Sequence, residues 1–197
     1  MRFTWTVAGD DPGYDNCKAH GINGLYAPLF DSLTTRAYLQ GFKDKGFANG
    51  LYLGHNWFPG LDATALAKKV VAEYKRIALP DTRLMLNLEN HDPAFVLAVV
   101  QKVRAALPKV NLSWSPEGMQ GGWMAPEFVA GILACRVRVV PQAFLGGMQR
   151  VESDQVLRDL TRRGFPESVI SIFYDAAALG QNWDGFAFTE GRLPWLL

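Results

Sequence analysis

Carboxylates recur at the ends of strand-like runs along this chain. Asp10 and Asp11 follow RFTWTVAG, Asp31 ends GLYAPLF, Glu89 ends RLMLNL, Glu117 follows VNLSWSP, Asp175 ends VISIFY and Glu190 ends GFAFT. Acids at the same end of neighbouring strands converge, and crowding and burial raise the pKa of one of them through like-charge repulsion and lost hydration. Glycosidic cleavage needs such a set. One carboxyl stays protonated to serve as acid, and a second, ionised, serves as nucleophile, base or charge stabiliser.

Side-chain alternation sorts these residues by face. In RLMLNLE, Leu84, Leu86 and Leu88 share one parity, while Met85, Asn87 and Glu89 share the other, with polarity rising toward the carboxyl end. Ser113, Ser115 and Glu117 repeat the pattern, as do Ser171, Phe173 and Asp175. Glu89 is the first choice for the acid, because apolar residues flank its strand and Asn87 can orient it. Asp175, Glu117 and Asp10 or Asp11 compete for the second role.

Aromatic residues add a binding surface. Trp57 follows His55 and Asn56, and Trp123 follows Gly121-Gly122, both in loops that can present a ring to a sugar face. Trp114 and Trp183 read as core. Asn87, His55, Asp11, Gln142 and Glu190 supply polar partners for sugar hydroxyls. Glu89, His91 and Asp92 together with His55 lack any H-E-x-x-H or cysteine-rich ligand spacing, so no metal is expected. There is no G-x-S-x-G elbow, P-loop or G-x-G-x-x-G, and no cofactor is expected.

Elements that alternate between strand and helix periodicity must position these groups. Strands read as Phe3–Val7, Gly24–Phe30, Gly50–His55, Arg83–Leu88, Val110–Ser115, Val137–Phe144, Val169–Tyr174 and Gly185–Thr189. Helices read as Thr34–Lys45, Asp62-capped through Ile77, one starting at Asp92-Pro93, Pro126–Cys135 and Ser153–Arg163. Leu33, Ala37, Leu39, Gln40 and Phe42 would form the buried stripe of the first. This order predicts an α/β fold, a compact (β/α)8 TIM-type barrel with shortened or missing helices after strands 1, 7 and 8. The acids would line its carboxyl-end face, where such barrels hold their sites. A flavodoxin-like or Rossmann sheet is the rival, but the first turn, AGDDPGYD, is acidic where a phosphate site wants backbone amides.

The chain has 197 residues, 49% of them hydrophobic, which suits one domain over residues 1–197 but is short for a barrel of about 250 residues. A formal net charge of +1 gives no basic stripe, so nucleic acid is not an expected partner. Cys17 and Cys135 could pair, but two cysteines make no disulfide framework, and free thiols are expected. No signal peptide and no run of roughly 18 apolar residues is visible, so a soluble protein is expected, cytoplasmic, released by lysis or carried on a virion.

The layout resembles the glycoside hydrolase family 25 lysozymes and related barrel hydrolases of phages and bacteria. On that resemblance Asp10 or Asp11 matches the family's acid after strand one, Asn87-Leu88-Glu89 its Asp-x-Glu after strand four, and Asp175 or Glu190 its last acid. Asn87 stands where the family has Asp, and the opening Gly-Ile-Asp-Val-Ser is absent. Two readings follow: a glycoside hydrolase acting on a polysaccharide such as cell-wall glycan, or a non-catalytic glycan-binding or structural barrel of a larger assembly such as a phage particle. The helix-poor seam between strands eight and one, with Phe186, Phe188 or Trp5 outward and Pro194–Leu197 nearby, would be covered by a second copy or a partner protein.

Overall fold

The computed structural model describes residues 2–6, 13–19, 21–54, 58–88, 92–116, 125–141, 150–175 and 188–191, with the backbone alone for 150–154, 172–175 and 188–191. Strands β1 (Phe3–Trp5), β2 (Gly24–Pro28), β3 (Ala48–Leu53), β4 (Arg83–Asn87), β5 (Leu112–Ser115) and β6 (Arg138–Val139) pair in parallel in chain order. Helices α1 (Tyr14–Ala19), α2 (Arg36–Asp44), α3 (Ala63–Ile77), α4 (Pro93–Ala106), α5 (Pro126–Ala134) and α6 (Arg150–Arg162) alternate with them. Strands β7 (Ile172–Asp175) and β8 (Phe188–Gly191) complete the sheet.

The result is a curled, parallel six-strand half-barrel carrying two further strands, and it corrects the expectation of eight parallel strands in a closed ring. β8 runs antiparallel to both β1 and β7, which it joins. A parallel pair needs a crossover of a dozen or more residues, usually through a helix, whereas an antiparallel strand can simply turn back. At the other edge, one parallel bridge between Val139 and Ile170 links β6 to the segment entering β7, with Ser171 N donating to Val139 O at 2.9 Å.

Strand parity divides the core in two. Leu25, Ala27, Leu51, Leu53, Leu84, Leu86, Leu88, Leu112, Trp114 and Val139 pack on the helix side. Phe3, Tyr26, Met85 and Val140 form a separate concave cluster, joined by half-buried Trp5 and Tyr52. Two glycines make room for it. A β-carbon at Gly24 would collide with the Phe3 ring, and one at Gly50 with the Tyr26 ring, each glycine being the register partner of its aromatic.

Local sequence explains the helices. Asp62 caps α3 by accepting from Thr64 N and Ala65 N, both at 2.8 Å, and Leu66, Ala67, Val70 and Ile77 form its buried stripe. Pro93 opens α4, whose Val96, Val99, Val100 and Val103 are all buried. Arg104 then ties the amino-end loops together. It donates from Nε to Cys135 O at 2.7 Å, from Nη1 to Val110 O at 2.8 Å and from Nη2 to Arg136 O at 3.1 Å. Burial beside these carbonyls lowers its pKa and raises that of the Cys135 thiol. Cys135 and Cys17 are both free and buried.

Several local expectations change. Only Leu39 and Phe42 of the proposed α2 stripe are buried; Ala37 and Gln40 are exposed and Leu33 is 58% exposed, because α2 begins after it. The segment between β1 and β2 holds the six-residue helix α1, whose Cys17 reaches the helix-side core. Trp5 faces the concave side rather than the outer seam, since Phe3 and Trp5 share a parity. Phe186 and Pro194–Leu197 lie outside the described residues. Among the described residues no helix is long and apolar enough to cross a membrane.

Candidate functional site

The concave face of the sheet is chemically split. Over β1–β3 it is aromatic: Phe3 and Tyr26 tilt together at 4.8 Å between centroids, and Trp5 stacks on Tyr52 at 5.2 Å with 14° between the planes. Over β4–β6 polar groups join Met85 and Val140. Asn87 and Ser115 are register partners at the carboxyl ends of β4 and β5, 6% and 0% exposed. Below them Ser113 lies between Met85 and Arg138 in the ladder, and its buried Oγ has no hydrogen-bond partner among the described residues. Arg138 Nη1 donates to Ser171 Oγ at 3.0 Å, bringing the β7 edge into the same file.

Such a file of buried polar side chains is unusual, because interior strand positions normally carry apolar groups and a buried hydroxyl without a partner costs free energy. It follows from the alternation in RLMLNL and NLSWS, whose even leucines and Trp114 take the helix side. The aromatic half follows from Phe3, Trp5, Tyr26 and Tyr52, with Gly24 and Gly50 clearing space.

At the carboxyl-end rim, Asp31 follows β2 and accepts a hydrogen bond from Leu33 N at 2.8 Å. Burial raises the Tyr52 phenol pKa, and the negative charge of Asp31 adds to the rise, so Tyr52 is a neutral hydroxyl at ordinary pH. Thr6, 4% exposed, donates from Oγ1 to Tyr26 O at 3.1 Å and closes the rim beside Trp5. The half-buried Trp5 and Tyr52 rings and the buried amide and hydroxyl groups of Asn87 and Ser115 thus share one concave face, near the carboxyl ends of their strands.

Of the residues singled out from sequence, Asn87 is buried on the concave face, with Ser115 as its register partner and Ser113 one rung below on the same face. Asp175 is the last residue of β7, at the same end as Asn87, because β7 runs parallel to β6 through the Val139–Ile170 bridge. Glu190 is placed differently. It lies within β8, in register with Phe3 and Phe173, so the reversed strand sets it at the amino end of β1 and away from the rim. Glu89, Glu117, Asp10, Asp11, His55, Trp57, Trp123 and Gln142 lie outside the described residues. The Trp5–Tyr52 stack was not anticipated. Its signal was the set of aromatics of one parity on neighbouring strands, Phe3 and Trp5 in β1, Tyr26 in β2 and Tyr52 in β3, with glycines opposite Phe3 and Tyr26.

No family model and no curated protein matches this chain. Solved structures that share its fold include two chitinase domains. The catalytic domain of a hyperthermophilic chitinase from Pyrococcus furiosus matches with a TM-score of 0.61 and 15% identity, over 86% of this chain and 70% of that one. A catalytic-site mutant of active domain 2 of chitinase from the same organism matches with a TM-score of 0.58 and 14% identity, over the same shares.

Proposed function

We propose that this protein is a glycoside-hydrolase-like half-barrel that cleaves a polysaccharide of the chitin type, rather than belonging specifically with the family 25 lysozymes. The split concave face carries the reading: aromatic Trp5 and Tyr52 share it with buried polar Asn87 and Ser115 at the carboxyl ends of the strands. Chitinase catalytic domains with the same fold support it.

In this reading Glu89, next in parity after Asn87, protonates the leaving glycosidic oxygen. Asn87 donates its amide to the Glu89 carboxyl or to the sugar. Asp175, Glu117 or Asp10 supplies the second carboxylate, stabilising positive charge at the anomeric carbon or activating water. An N-acetylated sugar can also present its own acetamido oxygen to that carbon, and substrate-assisted hydrolases dispense with a protein nucleophile. Trp57, Trp123, His55, Asp11 and Gln142 would extend the contacts around the mouth.

The test is release of reducing ends from chitin oligosaccharides and from a panel of cell-wall preparations. Glu89→Gln is expected to lower kcat about 10²–10⁴-fold, the usual contribution of a general acid, with unchanged thermal unfolding. Full turnover in that variant would reassign the acid. One observation favours a second reading, a glycan binder without catalysis: Asn87 is an amide where the sequence resemblance carries a carboxylate. Oligosaccharide binding by the native chain with no bond cleavage would establish it.

A further inference from the structure

The proposed chemistry uses the mouth of the sheet and leaves a groove on its rim unassigned. Between the turn after β2 and the outer face of α3 lies a groove of about 450 Å³, lined by Phe30, Asp31, Ser32, Lys69, Glu73 and Arg76. Its charged groups are already arranged. Arg76 donates from Nε and Nη2 to the two Glu73 carboxylate oxygens at 2.9 and 2.5 Å. That bond, more than the nearby positive charges of Arg76 and Lys69, holds the Glu73 carboxyl below its usual range and therefore ionised. The Lys69 ammonium lies 4.8 Å from the Phe58 ring centre and 5.9 Å from that of Phe30, and these rings meet edge to face at 4.6 Å.

The groove adjoins the mouth. Asp31 lines it and stands two residues beyond Leu29, whose N donates at 2.8 Å to the carbonyl oxygen of Tyr52, the residue whose ring stacks on Trp5. A chain extended outward from the Trp5–Tyr52 stack past Asp31 would reach Lys69 and Arg76. Positive Lys69 and Arg76 are balanced by negative Asp31 and Glu73, so an anionic unit gains nothing from the net field, while a neutral unit with several hydroxyl and amide groups meets both donors and acceptors. Groups fixed before the ligand arrives lose little freedom on binding.

Building on the glycan reading above, we infer that this groove is an outlying subsite for a neutral N-acetylated sugar unit of the same chain that occupies the mouth. Lys69, Arg76 and Ser32 donate to its hydroxyl and carbonyl oxygens, Asp31 and Glu73 accept from its hydroxyls, and the edge of Phe30 contacts its apolar face.

Ala72 is an exposed groove-lining residue of α3, so Ala72→Trp fills the groove without touching the core. Calorimetric titration of the native protein and this variant with N-acetylglucosamine oligomers of about two to six units is the test, beside a uronic-acid oligomer of equal length. Native affinity should step up with length, and Ala72→Trp should remove about tenfold at the longest oligomer, near the worth of one hydrogen bond to a charged group, while leaving the disaccharide unchanged. The uronic-acid oligomer should show no such step. Length-independent native affinity, an unaltered long oligomer in Ala72→Trp, or tighter binding of the uronic-acid chain would each overturn the subsite while disaccharide binding still upheld the glycan reading. Failure of the native protein to bind any oligomer would bring down both.

Discussion

The ring of Tyr26 lies across Gly50 on the neighbouring strand, in the space where any other residue would carry its β-carbon. The two are register partners, and Tyr26 is fully buried, so the ring has nowhere to swing. Phe3 and Gly24 repeat the arrangement one strand earlier. Aromatic volume on one strand is thus matched by its absence on the next, which lets large rings fill a strongly curved face.

Gly50→Ala is therefore expected to destabilise the fold by about 1–3 kcal/mol, the usual cost of overpacking a filled core. Adding Tyr26→Leu should recover part of that loss, because the two positions share one volume and their effects do not add. Urea unfolding of the single and double variants reads this directly. Equal stability of Gly50→Ala and the native chain would mean that the ring can relocate.

Alkaline pH should weaken the fold through Tyr74. Its hydroxyl donates to Thr82 O, and burial, with a smaller contribution from the charge of Asp81, pushes its pKa up from 10.0 to about 12. A folded-state pKa above the unfolded value means the stabilisation is complete below about pH 10 and is lost as pH rises toward 12. Tyr74→Phe should be less stable at neutral pH, where the hydrogen bond is lost, yet show a flatter fall between these limits. Thermal melts across that range are the measurement.

Asn87→Asp tests the acid assignment by electrostatics. If Glu89 donates the proton, a second carboxylate two residues away raises its pKa through like-charge repulsion. Activity is lost when the acid deprotonates, so the alkaline limb of the kcat/KM profile should move to higher pH. An unmoved alkaline limb would separate Asn87 from the acid.

Much of this architecture was legible in the chain, and the reasons differ from element to element. Asp62 before an alanine-rich run and Asp92-Pro93 before spaced valines announce α3 and α4, because capping and helical spacing are local. The parity of Leu84, Leu86 and Leu88 against Met85 and Asn87 was equally plain, since the leucines and the polar residues demand different surroundings. The direction of β8 was not, because alternation reads the same forwards and backwards, and only pairing with β1 and β7 fixes which end Glu190 occupies. The Trp5–Tyr52 stack also escaped a reading strand by strand: it joins β1 to β3 across β2 and depends on register. For the site, Asn87, Ser113 and Ser115 were accessible from parity. The rim groove was not, because Asp31, Lys69 and Arg76 come from separate elements whose periodicity says nothing of one another.

The reversal of β8 decides at which end of the sheet it can be fastened to β1. Phe3 and Glu190 occupy adjacent rungs, so the first strand begins where the last one finishes, at the end of the sheet opposite Asn87 and Ser115. A cross-link between the segments just before Phe3 and just after Glu190 would clasp these two strands at that end of the sheet. Such a clasp would stand behind the mouth rather than across it, and would leave every pairing in the sheet in place.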